Sequence, residues 1–259
     1  MNNIKYCPKC KQKIASNLFY RNVRQPDGLS PYCKVHWAEH NKEQHAKRRG
    51  DLPDKRRLQM MQVQHDYFHC VERPIQAYIL GLLASDGNVS SDRPRVAFSV
   101  HQKDRELVEV VRNELAPGSS ILTPPCRDYK LAKVCFTSSI MRADLAMLGI
   151  IPRKSLILTW PEALPMHLAN SYLLGVFDGD GWITFDRRKK NLYFSIGFTS
   201  ASKPFLERIR EVIREAIGVP SINIVANNSA YKILYGGASA SAVHEWLHRD
   251  LPGLARKRV

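Results

Sequence analysis

Leu173-Leu174-Gly175-Val176-Phe177-Asp178-Gly179-Asp180-Gly181 repeats, position for position, an earlier stretch, Ile79-Leu80-Gly81-Leu82-Leu83-Ala84-Ser85-Asp86-Gly87. Each is a short apolar run with small residues four apart (Gly175 and Gly179, Gly81 and Ser85) that closes on Asp-Gly. Residues at that spacing share a helix face, and small ones there let a second backbone approach closer than the usual separation of about 8–10 Å. A mid-helix glycine costs about 1 kcal/mol relative to alanine, so its recurrence asks for a packing reason. The pattern predicts two helices that cross at their glycines, each delivering a carboxylate to its C-terminal end, with Gly87 and Gly181 as left-handed caps. The partial negative charge at that end disfavours an isolated Asp and favours a bound cation. Asp86 and Asp180 match between the copies and are the candidate metal ligands, whereas Asp178 faces Ala84 in the comparison and stands outside the pair.

The similarity continues beyond the motifs, 94 positions separating Asp86 from Asp180, as a true duplication requires. The first copy is followed by a predicted strand at 94–101, a helix at 104–115, strands near 120–123 and 129–136, and a helix at 138–148, then Arg153-Lys154. The second is followed by a strand at 192–199, a helix at 203–217, strands near 222–225 and 230–235, and a helix at 239–247, then Arg256-Lys257.

This unit with its leading motif resembles the LAGLIDADG homing endonucleases, in the single-chain, two-motif form, over residues 72–259. The resemblance implies an α+β fold, a pseudo-symmetric duplicated αββαββα saddle. Its sheets would enter the DNA major groove with one face and bury the other against helices. Candidates for the DNA face are Arg95, Ser99, His101, Arg127, Lys133 and Thr137 in the first half, and Arg187, Lys189, Tyr193, Ser195, Asn223 and Lys232 in the second. The implied activity is Mg²⁺-dependent phosphodiester hydrolysis of double-stranded DNA at a long recognition site, by a monomer making a staggered cut. Asp86 and Asp180 would hold Mg²⁺, and Lys154 and Lys257 would lower the charge of the transition state. A non-cleaving DNA-binding regulator and an RNA maturase are the alternatives on the same scaffold.

Charge points to the same partner. Thirty-nine Lys and Arg against 24 Asp and Glu give +15, which suits a polyanion. Residues 1–73 carry +8 of that excess. No apolar run is long enough to span a bilayer and the start lacks a signal-peptide core, so a cytoplasmic setting is expected, in a bacterium or a phage-infected host, for a mobile-element nuclease.

In the basic amino-terminal part, Cys7-Pro8-Lys9-Cys10 and Cys33-Lys34-Val35-His36 give C-x2-C-x22-C-x2-H, the ligand set of one structural Zn²⁺. A module of this size rarely holds together without such a staple. His36 is favoured as the fourth ligand, with His40 and His45 as competitors. The segment resembles the small CCCH or CCCC zinc fingers of phage-type nucleases, with Phe19 and Tyr20 expected in its core. A basic helix from Tyr32 to about Arg49 carries Lys47, Arg48 and Arg49, and Lys55, Arg56 and Arg57 follow; all six are candidate phosphate contacts. The expected domains are therefore a zinc-binding finger at 1–50, a basic linker at 51–71, and LAGLIDADG halves at 72–155 and 156–259.

Overall fold

The computed structural model describes residues 4–22, 25–50, 62–126, 129–186 and 193–258, and of residues 42, 44–50 and 193 the backbone alone. The chain divides into two compact units, Met1–Arg57 and Leu58–Val259.

In the first unit, β1 (Ile4–Cys7) and β2 (Gln12–Ala15) form an antiparallel hairpin, as do β3 (Phe19–Arg21) and β4 (Leu29–Cys33), which leads into α1 (Lys34–Gly50). Among the described residues the buried apolar side chains are Cys7, Phe19 and Cys33, a core too small to stabilise a fold by burial alone. Tyr20, expected beside Phe19, instead points to solvent with the Lys34 ammonium 5.7 Å from its ring centre, because adjacent strand residues face opposite ways.

The second unit contains the duplication. Its first half runs α2 (Pro74–Asp86), β5 (Gly87–Val89), β6 (Arg95–His101), α3 (Arg105–Leu115), β7 (Pro125–Cys126), β8 (Tyr129–Thr137) and α4 (Ser139–Met147). The second half repeats it as α5 (Ala169–Asp180), β9 (Trp182–Asp186), β10 (Tyr193–Ser200), α6 (Lys203–Ile217), β11 (Val225–Asn227), β12 (Ala230–Gly236) and α7 (Ala238–Leu247). The antiparallel sheets have the same order, β5-β6-β8-β7 and β9-β10-β12-β11. This is the mixed α+β, duplicated αββαββα saddle that the resemblance implied.

Helices α2 and α5 are buried on nearly every side, as their unbroken apolar runs require. Helices α3 and α6 are amphipathic and lay Leu107, Val108, Val111 and Leu115, or Phe205, Leu206, Ile209, Val212 and Ile213, onto the sheets. Strand residues alternate: Val96, Phe98 and Val100 enter the core while Arg95, Ser99 and His101 lie on the other face.

Several expectations are corrected. The strands β5 and β9, directly after the motifs, were not located from sequence. The strand near 120–123 is a single bridge, Leu122 to Lys133, with β7 beyond it, and the strand near 222–225 begins at Val225. Residues 63–71, placed in the linker, join the core through Val63, Tyr67, Phe68 and Val71; the Gln76 side chain fastens them by donating to the carbonyls of Tyr67 (2.8 Å) and Cys70 (3.1 Å). Gly87 and Gly181 are extended, with φ of −72° and −86°, not left-handed. They are glycines because a Cβ would collide with the Leu83 backbone and with Phe177 respectively.

Candidate active site

The site begins at the seam between α2 and α5. A Cβ on Gly81 would overlap the Tyr172 carbonyl oxygen and lie 2.9 Å from Val176 N; one on Gly175 would overlap the Tyr78 carbonyl oxygen and lie 2.8 Å from Leu82 N. The helices therefore touch backbone to backbone, and their C-terminal ends arrive side by side. Further along the seam, a Cβ on Gly179 would meet the Ser85 side chain and stand 2.7 Å from Asp86 Oδ2.

Asp86 and Asp180 sit at those ends. Burial, and then the negative charge of Asp180, push the Asp86 carboxyl up to about 6, against the pull of Lys154 and Lys257. Asp180 is exposed, yet the protein around it still costs the carboxylate enough hydration to raise its pKa too, again opposed by both lysines. The two acids thus share one electrostatic environment with both lysines.

Both lysines are buried, and neither simply points at the carboxylates. Lys154 donates to the carbonyls of Gly87 (2.5 Å) and Ser85 (3.4 Å), at the end of α2. Lys257 donates to those of Phe177 (2.5 Å), Asp178 (2.9 Å) and Gly181 (2.7 Å), at the end of α5. These carbonyls lie at or just past the helix ends, where the partial negative charge favours a positive neighbour. An ammonium has three N–H groups, so Lys257 is saturated by backbone. Burial pushes its pKa down to about 8 and that of Lys154 down as well, with the acids opposing in each case.

Asp178, unmatched in the repeat, is fully enclosed. Its Oδ2 accepts from the Tyr78 hydroxyl and the Leu254 amide, both at 2.8 Å, and burial raises its pKa. It ties α5 to α2 and to the segment after α7. The Arg-Lys pairs also differ between halves. Arg256 forms a two-pronged ion pair with Asp104 of the first half (2.7 and 3.0 Å), while Arg153, with a left-handed φ of 59°, is exposed.

The sheet face away from the core gathers some of the predicted contact residues. Arg95 pairs with Thr137 and Ser99 with Lys133, and all four, with His101, share the open face of the first sheet. His101 stacks on Tyr129 at 5.3 Å. In the second sheet Lys232 pairs with Thr199 on the open face. Ser195 is on that face but buried, and Asn223 is exposed but precedes β11, outside the sheet. Arg127, Arg187, Lys189, Lys55, Arg56 and Arg57 lie outside the described residues, as do the side chains of Tyr193, Lys47, Arg48 and Arg49. Sequence reasoning missed Asn88, Trp182, Thr184 and Leu234, which occupy the same faces; for Asn88 and Trp182 the signal was their place directly after each Asp-Gly.

In the first unit, Cys7, Cys10, Cys33 and His36 bring their ligand atoms within 4.8 Å of one another. His36 Nδ1 lies 3.2 Å from Cys10 Sγ, 3.3 Å from Cys33 Sγ and 4.0 Å from Cys7 Sγ, and Cys10 Sγ lies 3.6 Å from Cys33 Sγ. Tetrahedral bonds of about 2.3 Å to sulfur and 2.0–2.1 Å to nitrogen place ligand atoms about 3.5–3.8 Å apart, so this set can close around one ion. His40 packs against Tyr32 and Trp37.

Comparison with known proteins agrees with this architecture. A family profile described as a LAGLIDADG-like domain matches residues 168–245. The homing endonuclease I-WcaI bound to its DNA recognition sequence superposes with a TM-score of 0.52 at 12% identity, over 75% of this chain and 91% of that one. The meganuclease I-AabMI bound to uncleaved DNA gives 0.48 at 11% identity, over 71% and 85%. The N-terminal LAGLIDADG domain of DUF199/WhiA gives 0.46 at 13% identity, over 67% and 79%. The comparison with curated proteins finds no match. Among the described residues no helix is long and apolar enough to cross a membrane.

Proposed function

We propose that the chain is a site-specific endonuclease of double-stranded DNA that makes a staggered cut by Mg²⁺-dependent phosphodiester hydrolysis. The observation that carries this reading is the placement of Asp86 and Asp180 at the ends of two helices in backbone contact, with the Asp86 carboxyl raised by burial and by Asp180. Such crowding of negative charge at two helix C-termini is unfavourable by itself and fits a hard divalent cation, which takes oxygen ligands and keeps several waters for phosphate contact. Asp86 and Asp180 would hold it. When bound it supplies an activated water and stabilises the leaving 3′ oxygen.

The chain's own groups do the rest. Lys257, with its N–H groups given to three carbonyls, contributes positive charge and holds the end of α5 in place. Lys154 spends two bonds on the end of α2 and offers a phosphate oxygen or water the third. Arg95, Ser99, His101, Lys133 and Thr137 on one sheet, and Thr199 and Lys232 on the other, face the groove. We assign Cys7, Cys10, Cys33 and His36 to one structural Zn²⁺, in a finger at 1–50 that adds phosphate contacts to those of the halves at 72–155 and 156–259. The protein would act as a monomer, each half cutting one strand, as the nuclease of a mobile element in a bacterial or phage-infected cell.

The test is a cleavage selection from a randomised duplex library with the purified chain, comparing Mg²⁺ with Ca²⁺ on the enriched target. Specific double-strand breaks in Mg²⁺ alone support the proposal; a duplex that binds tightly and stays whole in Mg²⁺ rejects it. That second outcome is what a non-cleaving DNA-binding regulator predicts, a reading favoured by the engagement of both lysines with helix carbonyls.

A further inference from the structure

We infer that one cross-strand row on the open face of the second sheet, Trp182–Gly197–Leu234, reads pyrimidine C5-methyl groups, so that the two halves recognise DNA by different chemistry. The inference rests on the DNA-binding part of the proposed function and adds to it a class of base and a half-site.

The register sets the row: Trp182 pairs with Gly197, and Gly197 pairs with Leu234. A Cβ on Gly197 would stand 2.6 Å from both Cε2 and Cη2 of Trp182, so the indole lies across the glycine where any larger residue would displace it. Trp182 stays half-buried, and Leu234 is 47% exposed. Together they make an apolar shelf beginning two residues after Asp180. The core does not call for it, because the opposite face of the same strands already supplies Ile196, Phe198, Ile233 and Tyr235.

The equivalent row in the first sheet is Asn88–Ala97–Cys135. There Asn88 is exposed, and the Arg95 guanidinium donates to Cys135 Sγ at 3.1 Å. One half therefore presents an amide and a guanidinium where the other presents an indole and an isobutyl group. In the major groove, amides and guanidinium groups pair with purine edges, whereas apolar side chains meet the thymine methyl. Burying one methyl is worth about fourfold in affinity.

The experiment uses the full chain carrying Asp86→Asn and Asp180→Asn, with which bound duplexes are selected from a randomised pool without any need for cleavage. Each thymine of the enriched site is then replaced by deoxyuridine, which removes the C5-methyl and nothing else. The expected result is thymine enrichment in one half-site, about fourfold weaker binding on deoxyuridine substitution at one or two of those thymines, and no effect in the other half-site. Added Leu234→Asn, at an exposed position, or Trp182→Asn should abolish the deoxyuridine effect, with unchanged thermal melting showing that the fold is kept. An enriched site without thymine in either half, a flat deoxyuridine scan, or a methyl effect that survives Leu234→Asn overturns the inference while leaving DNA binding intact. Failure to enrich any duplex overturns both.

Discussion

Replacing Gly81 by alanine probes the seam on which the site depends. The added methyl would overlap the Tyr172 carbonyl oxygen and come within 2.9 Å of Val176 N and 3.0 Å of Gly175 Cα. All three are backbone atoms of α5, so no change of rotamer relieves the conflict and the helices must separate. Helix propensity favours the substitution by about 1 kcal/mol, whereas overpacking costs about 1–3 kcal/mol and sometimes more. A clash with rigid backbone belongs at or beyond the upper end of that range, leaving a net loss of about 2 kcal/mol, or a fall in Tm of about 4–8 °C for a unit of this size. Thermal denaturation of the full chain followed by tryptophan fluorescence measures it, with buried Trp160 as reporter. Gly179→Ala is the internal comparison. Its methyl meets the Ser85 side chain and Asp86 Oδ2, so it should cost less stability and reduce cleavage by displacing the carboxylate. A Gly81→Ala protein that melts above its parent would refute the backbone contact.

Other outcomes follow from the same geometry. Asp86→Asn or Asp180→Asn should lower cleavage by at least about 100-fold while leaving DNA affinity within a few fold, read by parallel cleavage and gel-shift titrations. The folded chain holds the Asp86 proton to about pH 6 against 3.8 for an ordinary aspartate, so ionisation costs stability as pH rises through that window. Metal-free Asp86→Asn should therefore equal its parent near pH 4 and exceed it by about 2 kcal/mol at pH 7, a gap that Mg²⁺ closes; urea denaturation at both pH values checks it, and other titrating groups cancel in the difference. Lys257→Met should destabilise by about 3 kcal/mol, since it removes the ammonium donor from the Asp178 and Gly181 carbonyls and leaves that of Phe177 with the Gly181 amide alone. A strong Zn²⁺ chelator, or Cys10→Ser, should unfold the first unit and leave the melting of the second unchanged, as separate transitions in calorimetry would reveal.

The duplication was legible because helix and strand periodicities survive in each copy independently, and the two copies check one another. Helix α6 was read to the residue, since five buried apolar side chains mark its face and Gly218, at a φ of +69°, its end. The short strands β5 and β9 were not visible, because three to five residues following a helix carry too little periodicity of their own and are defined only by their antiparallel pairing with the next strand, β6 or β10. The glycines after the acids were read through the commonest reason for a glycine at a helix end, a positive φ; the chain instead leaves each helix extended, and the residue four positions before, Leu83 or Phe177, then crowds the Cβ position, a consequence of the exit direction that composition alone does not fix. The lysines were read as groups facing the phosphate because Arg-Lys recurs. That recurrence reports equally well a need to cap two buried helix ends.

The clasp between the halves bears on how this molecule could be cut apart. Arg256 reaches Asp104, the Ala255 amide reaches Glu106 at 3.3 Å, and the Leu254 amide reaches Asp178, which is itself held by Tyr78. Severing the exposed connector near Leu156 and Ile157 would leave two fragments still gripped by these bonds and by the glycine seam. A split gene should thus reconstitute a working pair without an added dimerisation tag. A graft of a foreign amino-terminal half, by contrast, would have to carry an acid at the position of Asp104 to be recognised by its new partner.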